Sequence, residues 1–152
     1  MSDAGIQSAV FLDLDSVDRD DLDLSRLTAS VSQWEWHGLV SDDDLHNILA
    51  GTDVVITNKV VLTDEHLSRA DRLKLVCIAA TGTNNVDIEA AARNNIAVCN
   101  VSAYATPAVV QHVFTLLLVL TTRFNEYTAA VRRGDWSRSP FFCLLDYPLR
   151  EL

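Results

Sequence analysis

Apolar residues fall into short, nearly continuous runs along the chain, separated by segments with the spacing of amphipathic helices. Residues 8–14 (SAVFLDL), 54–57 (VVIT), 75–80 (LVCIAA) and 96–101 (IAVCNV) are aliphatic or β-branched runs bounded by polar positions. Runs of this kind predict strands covered on both faces, and hence a parallel sheet. Residues 31–36 (VSQWEW) alternate instead, with Val31, Gln33 and Glu35 on one side and the two tryptophans on the other, which predicts an edge strand.

The intervening segments carry helix signals. Ser41 precedes Asp42, Asp43 and Asp44, and then Leu45, Ile48 and Leu49 follow before Gly51. This is an N-cap with carboxylates in the first turn, then an apolar stripe and a stop. Thr63 is the expected cap of residues 64–70, and Asp87 that of the run IEAAARNN. Pro107, behind Thr106, opens a helical pattern that runs to about Arg133 and ends at Gly134, roughly 40 Å of helix. Its first half, VVQHVFTLLLVL, is apolar on every side. Such a helix requires cover on every side, so one face is expected against the sheet and the other against a second domain or subunit. Strand and helix alternate with short connections, which predicts an α/β domain.

Charge is confined to one part of the chain. Residues 1–50 hold 11 acidic against 2 basic residues, the whole formal net charge of -9, and the rest is neutral. No basic stripe exists to neutralise phosphates, so nucleic acid and anionic membrane surfaces are not expected partners. Residues 103–122 lack formal charge, but their strongly apolar core, 113–120, is too short to span a bilayer. The N-terminus has no positive n-region, and Cys77, Cys99 and Cys143 form neither a disulfide framework nor a metal motif. These features suit a reduced, cytoplasmic protein.

Candidate chemistry lies at strand ends. The loop AATGTNNVD, residues 79–87, follows a strand and precedes a helix. In an open parallel sheet that is where ligands bind. The amides of Thr81, Gly82 and Thr83 are candidates for an anion cradle, although the same wording suits a plain turn using Gly and Asn at positive φ. Asn58 and Lys59 end another strand, where a lysine attracts a carboxylate and an asparagine hydrogen-bonds it; a solvated loop lysine is the alternative. His37, His46, His66 and His112 have no ligand spacing, so no metal is expected. The run DLDSVDRDDLDLS lacks the Gly and Glu of a calcium loop. Neither a G-x-G-x-x-G fingerprint nor a Walker A motif occurs, and no nucleophile has a base beside it.

The succession LVCIAATGTNNVDIEAAARNNIAVCNVSAYATPAVVQHVFTLLLVLTTR, followed by VRRGDW, closely resembles the N-terminal part of the D-isomer-specific 2-hydroxyacid dehydrogenases. TNNVD and FCLLDYPLREL are most similar to the glycerate dehydrogenase or hydroxypyruvate reductase branch. The resemblance implies a flavodoxin-like substrate-binding domain over residues 1–102 and a long interdomain and dimerisation helix within 103–136. It implies that residues 137–152 lead into a Rossmann domain missing from this chain. It further implies NAD or NADP as cofactor, a small 2-oxo or 2-hydroxy acid as substrate, and a homodimer. Thr81 and Gly82 are implied to contact the substrate carboxylate and the nicotinamide end, with Asn58, Lys59 and Thr83 bordering the cleft and Val109 near the cofactor. Gln111 stands where the family usually has glutamate. The family's catalytic residues fall in the missing domain, so this chain is expected to be inactive alone. The alternative reading is a self-associating flavodoxin-like binding or regulatory module without catalysis.

Overall fold

A computed structural model describes residues 5–141. The chain divides into two compact units after Ala103. The first contains five strands, β1 (Ser8–Phe11), β2 (Gln33–Trp36), β3 (Val54–Thr57), β4 (Leu75–Ile78) and β5 (Ala97–Asn100). All pairings are parallel, in the order β2-β1-β3-β4-β5. This is the flavodoxin-like doubly wound order, in which the order of strand addition reverses between β1 and β3. Both the parallel sheet and the edge position of the tryptophan strand agree with the sequence pattern. Trp34 and Trp36 stack on one side of β2, with ring centroids 4.6 Å apart.

Between the strands run α1 (Ser25–Thr28), α2 (Asp42–Ala50), α3 (Asp64–Ser68) and α4 (Ile88–Arg93). The sequence pattern did not signal α1. One sheet face, formed by Val10, Val55, Val76 and Ile78, packs in a single cluster with Leu45 and Leu49 of α2, Leu67 of α3 and Ala90 of α4. The register explains the grouping, since Val10, Val55, Val76 and Val98 are aligned across four strands and share a face. Val10, Leu45, Val55, Val76 and Ala90 are fully buried. The caps follow the local chemistry. Asp87 accepts from the Ala90 amide at 2.9 Å, and Thr63 forms a reciprocal capping box with His66. Ser41 differs from expectation, because its hydroxyl donates to Asp44 at 2.7 Å instead of accepting from the helix.

The second unit contains α5 (Thr106–Thr121), α6 (Phe124–Arg132) and α7 (Asp135–Arg138). The single helix expected from Pro107 to about Arg133 is two helices, bent by 60° at Thr122 and Arg123. The Thr121 hydroxyl donates back to the Leu117 carbonyl at 2.8 Å, and the Thr122 hydroxyl to that of Leu118 at 2.6 Å. Back-bonding of this kind bends helices. Arg123 then turns into the left-handed region at φ 53°, a conformation costing a non-glycine residue about 1 kcal/mol. Ala105 rather than Thr106 is the N-cap of α5. Gly134 stops α6 as expected, at φ 77°. No residue of α5 is buried within the described residues. Among the described residues no single helix is long and apolar enough to cross a membrane. The tail FCLLDYPLREL, residues 142–152, lies outside the described residues.

Candidate functional site

At the carboxyl end of β1 the chain places Asp13, a carboxylate with no solvent exposure. It accepts hydrogen bonds from three successive amides beyond β3, those of Asn58 (2.9 Å), Lys59 and Val60 (3.3 Å). Three donors converging on one carboxyl group bend residues 58–60 around it, which is a nest built on an aspartate. The Asn58 side chain is buried and donates through Nδ2 to the Ser16 hydroxyl at 3.0 Å. Lys59 is exposed, and its ammonium makes no ion pair with any described residue.

The loop beyond β4 is joined to this one by backbone. The Leu62 amide donates to the Asn85 carbonyl at 2.8 Å, the Asp87 amide to the Leu62 carbonyl at 2.9 Å, and Leu62 and Val86 form an isolated parallel bridge. Asn85 Nδ2 also donates to the Val60 carbonyl at 3.2 Å. The loop is anchored on its other side as well. Thr81 Oγ1 donates to the Val101 carbonyl at 3.0 Å, and Asn100 Nδ2 to the Thr81 carbonyl at 2.7 Å.

Between the two loops lies a cleft of about 210 Å³, lined by Asn58, Lys59, Val61, Ala80, Gly82, Asn84 and Asn85. Lys59 is its single charged lining residue, and three asparagines supply neutral polar groups. At Gly82 a side chain would crowd its neighbour, and the backbone geometry does not call for glycine. Its φ is not in the left-handed region, but an added Cβ would stand 3.0 Å from Asn84 Oδ1. The turn based on positive φ is therefore not what this loop is. The amides of Thr81, Gly82 and Thr83 donate to no acceptor among the described residues, which leaves them free for an anion. A cleft with one cation, unpaired amides and asparagine amides suits a small carboxylate.

Of the residues singled out from sequence, Asn58, Lys59 and Gly82 line this cleft, while Thr81 and Thr83 flank Gly82 without lining it. Val109 is exposed on α5. Asp13, Asn84 and Asn85 were missed as contributors. The available signal for Asp13 was a carboxylate closing an apolar run at a central strand's end. A larger cleft, lined by residues such as Ser8, Gln33 and Thr52, lies at the amino ends of β1, β2 and β3, away from the strand ends where parallel sheets bind ligands. The aspartate-rich segment forms turns rather than a cation loop, with Asp18 Oδ1 accepting from the Asp21 and Leu22 amides.

Residues 10–135 match the model of the D-isomer specific 2-hydroxyacid dehydrogenase catalytic domain. The chain belongs to this family. A glycerate dehydrogenase of Methylorubrum extorquens is 34% identical over 138 residues, covering 86% of this chain and 44% of the relative. A hydroxypyruvate reductase of Blautia hydrogenotrophica is 32% identical, covering 75% of this chain and 35% of the relative. The chain thus spans less than half the length of these 2-hydroxyacid dehydrogenases. Among solved structures, a D-lactate dehydrogenase from Aquifex aeolicus complexed with NAD and lactic acid superposes with a TM-score of 0.71 at 22% identity, covering 94% of this chain and 41% of that one. An acyclic imino acid reductase in complex with NADPH and D-Arg gives 0.76 at 19% identity, covering 95% and 45%. At these identities the two structures bear on the family's fold alone.

Proposed function

We propose that this chain is the N-terminal, substrate-binding part of an NAD(P)-dependent D-2-hydroxyacid dehydrogenase of the glycerate dehydrogenase or hydroxypyruvate reductase type. The reaction is hydride transfer between nicotinamide and the 2-position of a small 2-oxo or 2-hydroxy acid. The observation that carries the reading is the cleft at the carboxyl ends of β3 and β4, which is lined by Lys59 and Gly82 and bordered by the acceptor-free amides of residues 81–83. A three-carbon oxo acid presents a carboxylate to those donors. At about 210 Å³ the cleft is smaller than the roughly 300–1,000 Å³ of pockets for larger ligands. It therefore suits the acid and not a dinucleotide.

The cofactor, when bound, supplies or accepts the hydride. Most of its binding belongs to a second domain, consistent with the chain's matching under half of its relatives. Thr81, Gly82 and Thr83 orient the acid through their amides, Lys59 attracts it, and Asn58 supports the loop from below. Thr81 and Val109 are retained as cofactor contacts on the family resemblance alone. A homodimer through α5 is supported by the exposure of Val113, Phe114, Leu117 and Leu120, each able to contribute roughly 1.5–3 kcal/mol on full burial. The cytoplasm is the proposed location, because the cysteine spacing is not that of a disulfide framework.

Titration of the 152-residue chain with hydroxypyruvate, followed by amide chemical shifts, tests this reading. Saturable shifts confined to residues 58–61 and 80–85 are expected, with negligible NADH oxidation. Shifts at the opposite end of the sheet, or none, would overturn it.

A further inference from the structure

Cys77 of β4 and Cys99 of β5 are direct partners in the parallel register, and their Sγ atoms are 3.4 Å apart. Neighbouring strands lie about 4.8 Å apart, inside the Cα separation of about 4.4–6.8 Å that a disulfide bridges. Cys99 is exposed and Cys77 half-buried. We propose that Cys77 and Cys99 form a reversible dithiol–disulfide modification site, closed by peroxide into an intramolecular bond between β4 and β5.

The geometry assigns the two sulfurs different roles. The Cys99 thiolate, open to solvent, attacks one oxygen of hydrogen peroxide and becomes a sulfenic acid. The leaving hydroxide takes a proton and departs as water. The Cys77 sulfur, already in contact, then attacks the Cys99 sulfur. The S–O bond breaks, the S–S bond forms, and the Cys77 proton leaves with the hydroxyl as a second water. Two thiols are oxidised to one disulfide while one peroxide is reduced to two waters. Burial, reinforced by the adjacent Cys99 thiol, pushes the Cys77 thiol up to about 12. Cys77 is therefore protonated at neutral pH and serves as the resolving sulfur, not the first attacker.

Both strands are tied to the loop that borders the candidate site. β4 runs on into the 81–85 loop, and the residue after Cys99 is Asn100, whose side chain holds the Thr81 carbonyl. The inference rests on register and separation, and stands whether or not the cleft binds an oxo acid.

The test treats the full chain with hydrogen peroxide at neutral pH, alkylates remaining thiols and digests with trypsin without reduction. Cleavage after Arg93 puts Cys77 in the peptide 75–93 and Cys99 in 94–123. The expected product is these two peptides joined, separable by dithiothreitol, formed equally in a Cys143→Ser variant and present in monomeric chains. In Cys77→Ser, Cys99 should instead be trapped by dimedone as the sulfenic acid. Recovery of both cysteines as alkylated thiols under conditions that oxidise Cys99 in Cys77→Ser would overturn the proposal. So would linkage of Cys99 only to Cys143 or only between chains.

Discussion

The two ends of the sheet each bury an aspartate, and they use it differently. At the amino end, Asp53 precedes β3 and closes the structure on itself. Its carboxylate accepts from the Gln7 and Ser8 amides at 3.0 and 3.2 Å, and meets Arg72 and Lys74 at 3.3 Å each. Every donor it gathers belongs to the scaffold. At the carboxyl end, Asp13 gathers only the amides of residues 58–60. Beyond them the Lys59 ammonium has no ion-pair partner, and the amides of residues 81–83 no acceptor, among the described residues. One end spends its polar groups on holding strand starts together. The other bends a loop so that polar groups remain available, which is what a binding site requires.

Asp13→Ala should give the largest effect, because the Asn58 and Lys59 amides lose their acceptor and that of Val60 keeps only the Thr57 hydroxyl. A loss of about 3 kcal/mol or more in urea unfolding is expected, together with loss of the hydroxypyruvate-induced shifts at residues 58–61. If ligand binding survived, the two ends would not differ as described. Asp53→Asn should cost about 2 kcal/mol while leaving those shifts and their midpoint unchanged, and a weakened midpoint would break the comparison.

Acid provides a third check. Hydrogen bonds from the Gln7 amide foremost, opposed by burial and assisted by Ser8 and Lys74, hold the Asp53 carboxyl well below its ordinary 3.8. A depressed folded-state value means the stabilisation is complete above the unfolded-state value and is lost as pH falls below it. Stability should therefore decline from about pH 4 downward, and this acid limb should flatten in Asp53→Asn. The smallest effect on folding is expected for Lys59→Met, within about 0.5 kcal/mol because the side chain is exposed. Hydroxypyruvate should nevertheless bind roughly tenfold more weakly, equivalent to about 1.4 kcal/mol, and the difference should shrink with added salt.

Much of the first unit was legible along the chain. The runs at Val54–Thr57 and 75–80 are strands because parallel, doubly covered strands leave continuous apolar stretches, a signal needing no knowledge of partners. Asp87 capped its helix as expected, because an N-cap is local chemistry. Lys59 and Gly82 were identifiable because strand ends in such a sheet are where ligands meet the chain. Asp13 was not, since its role depends on amides 45 to 47 residues away. The break of the long helix was also missed. Helical periodicity continues smoothly across residues 106–133, while the bend arises from two threonine hydroxyls competing for backbone carbonyls.

The amino-acid sequence alone determined the alternation of strands and helices, the parallel character of the sheet, the family resemblance and the loops to inspect. Each depends on periodicity, capping or motif order, which are properties of neighbouring residues. Tertiary structure decided that the two loops join through Leu62 and Asn85, that Asp13 shapes one of them, and that Cys77 meets Cys99. Those outcomes depend on strand order and register, and register places residues far apart in the chain within hydrogen-bond or van der Waals reach.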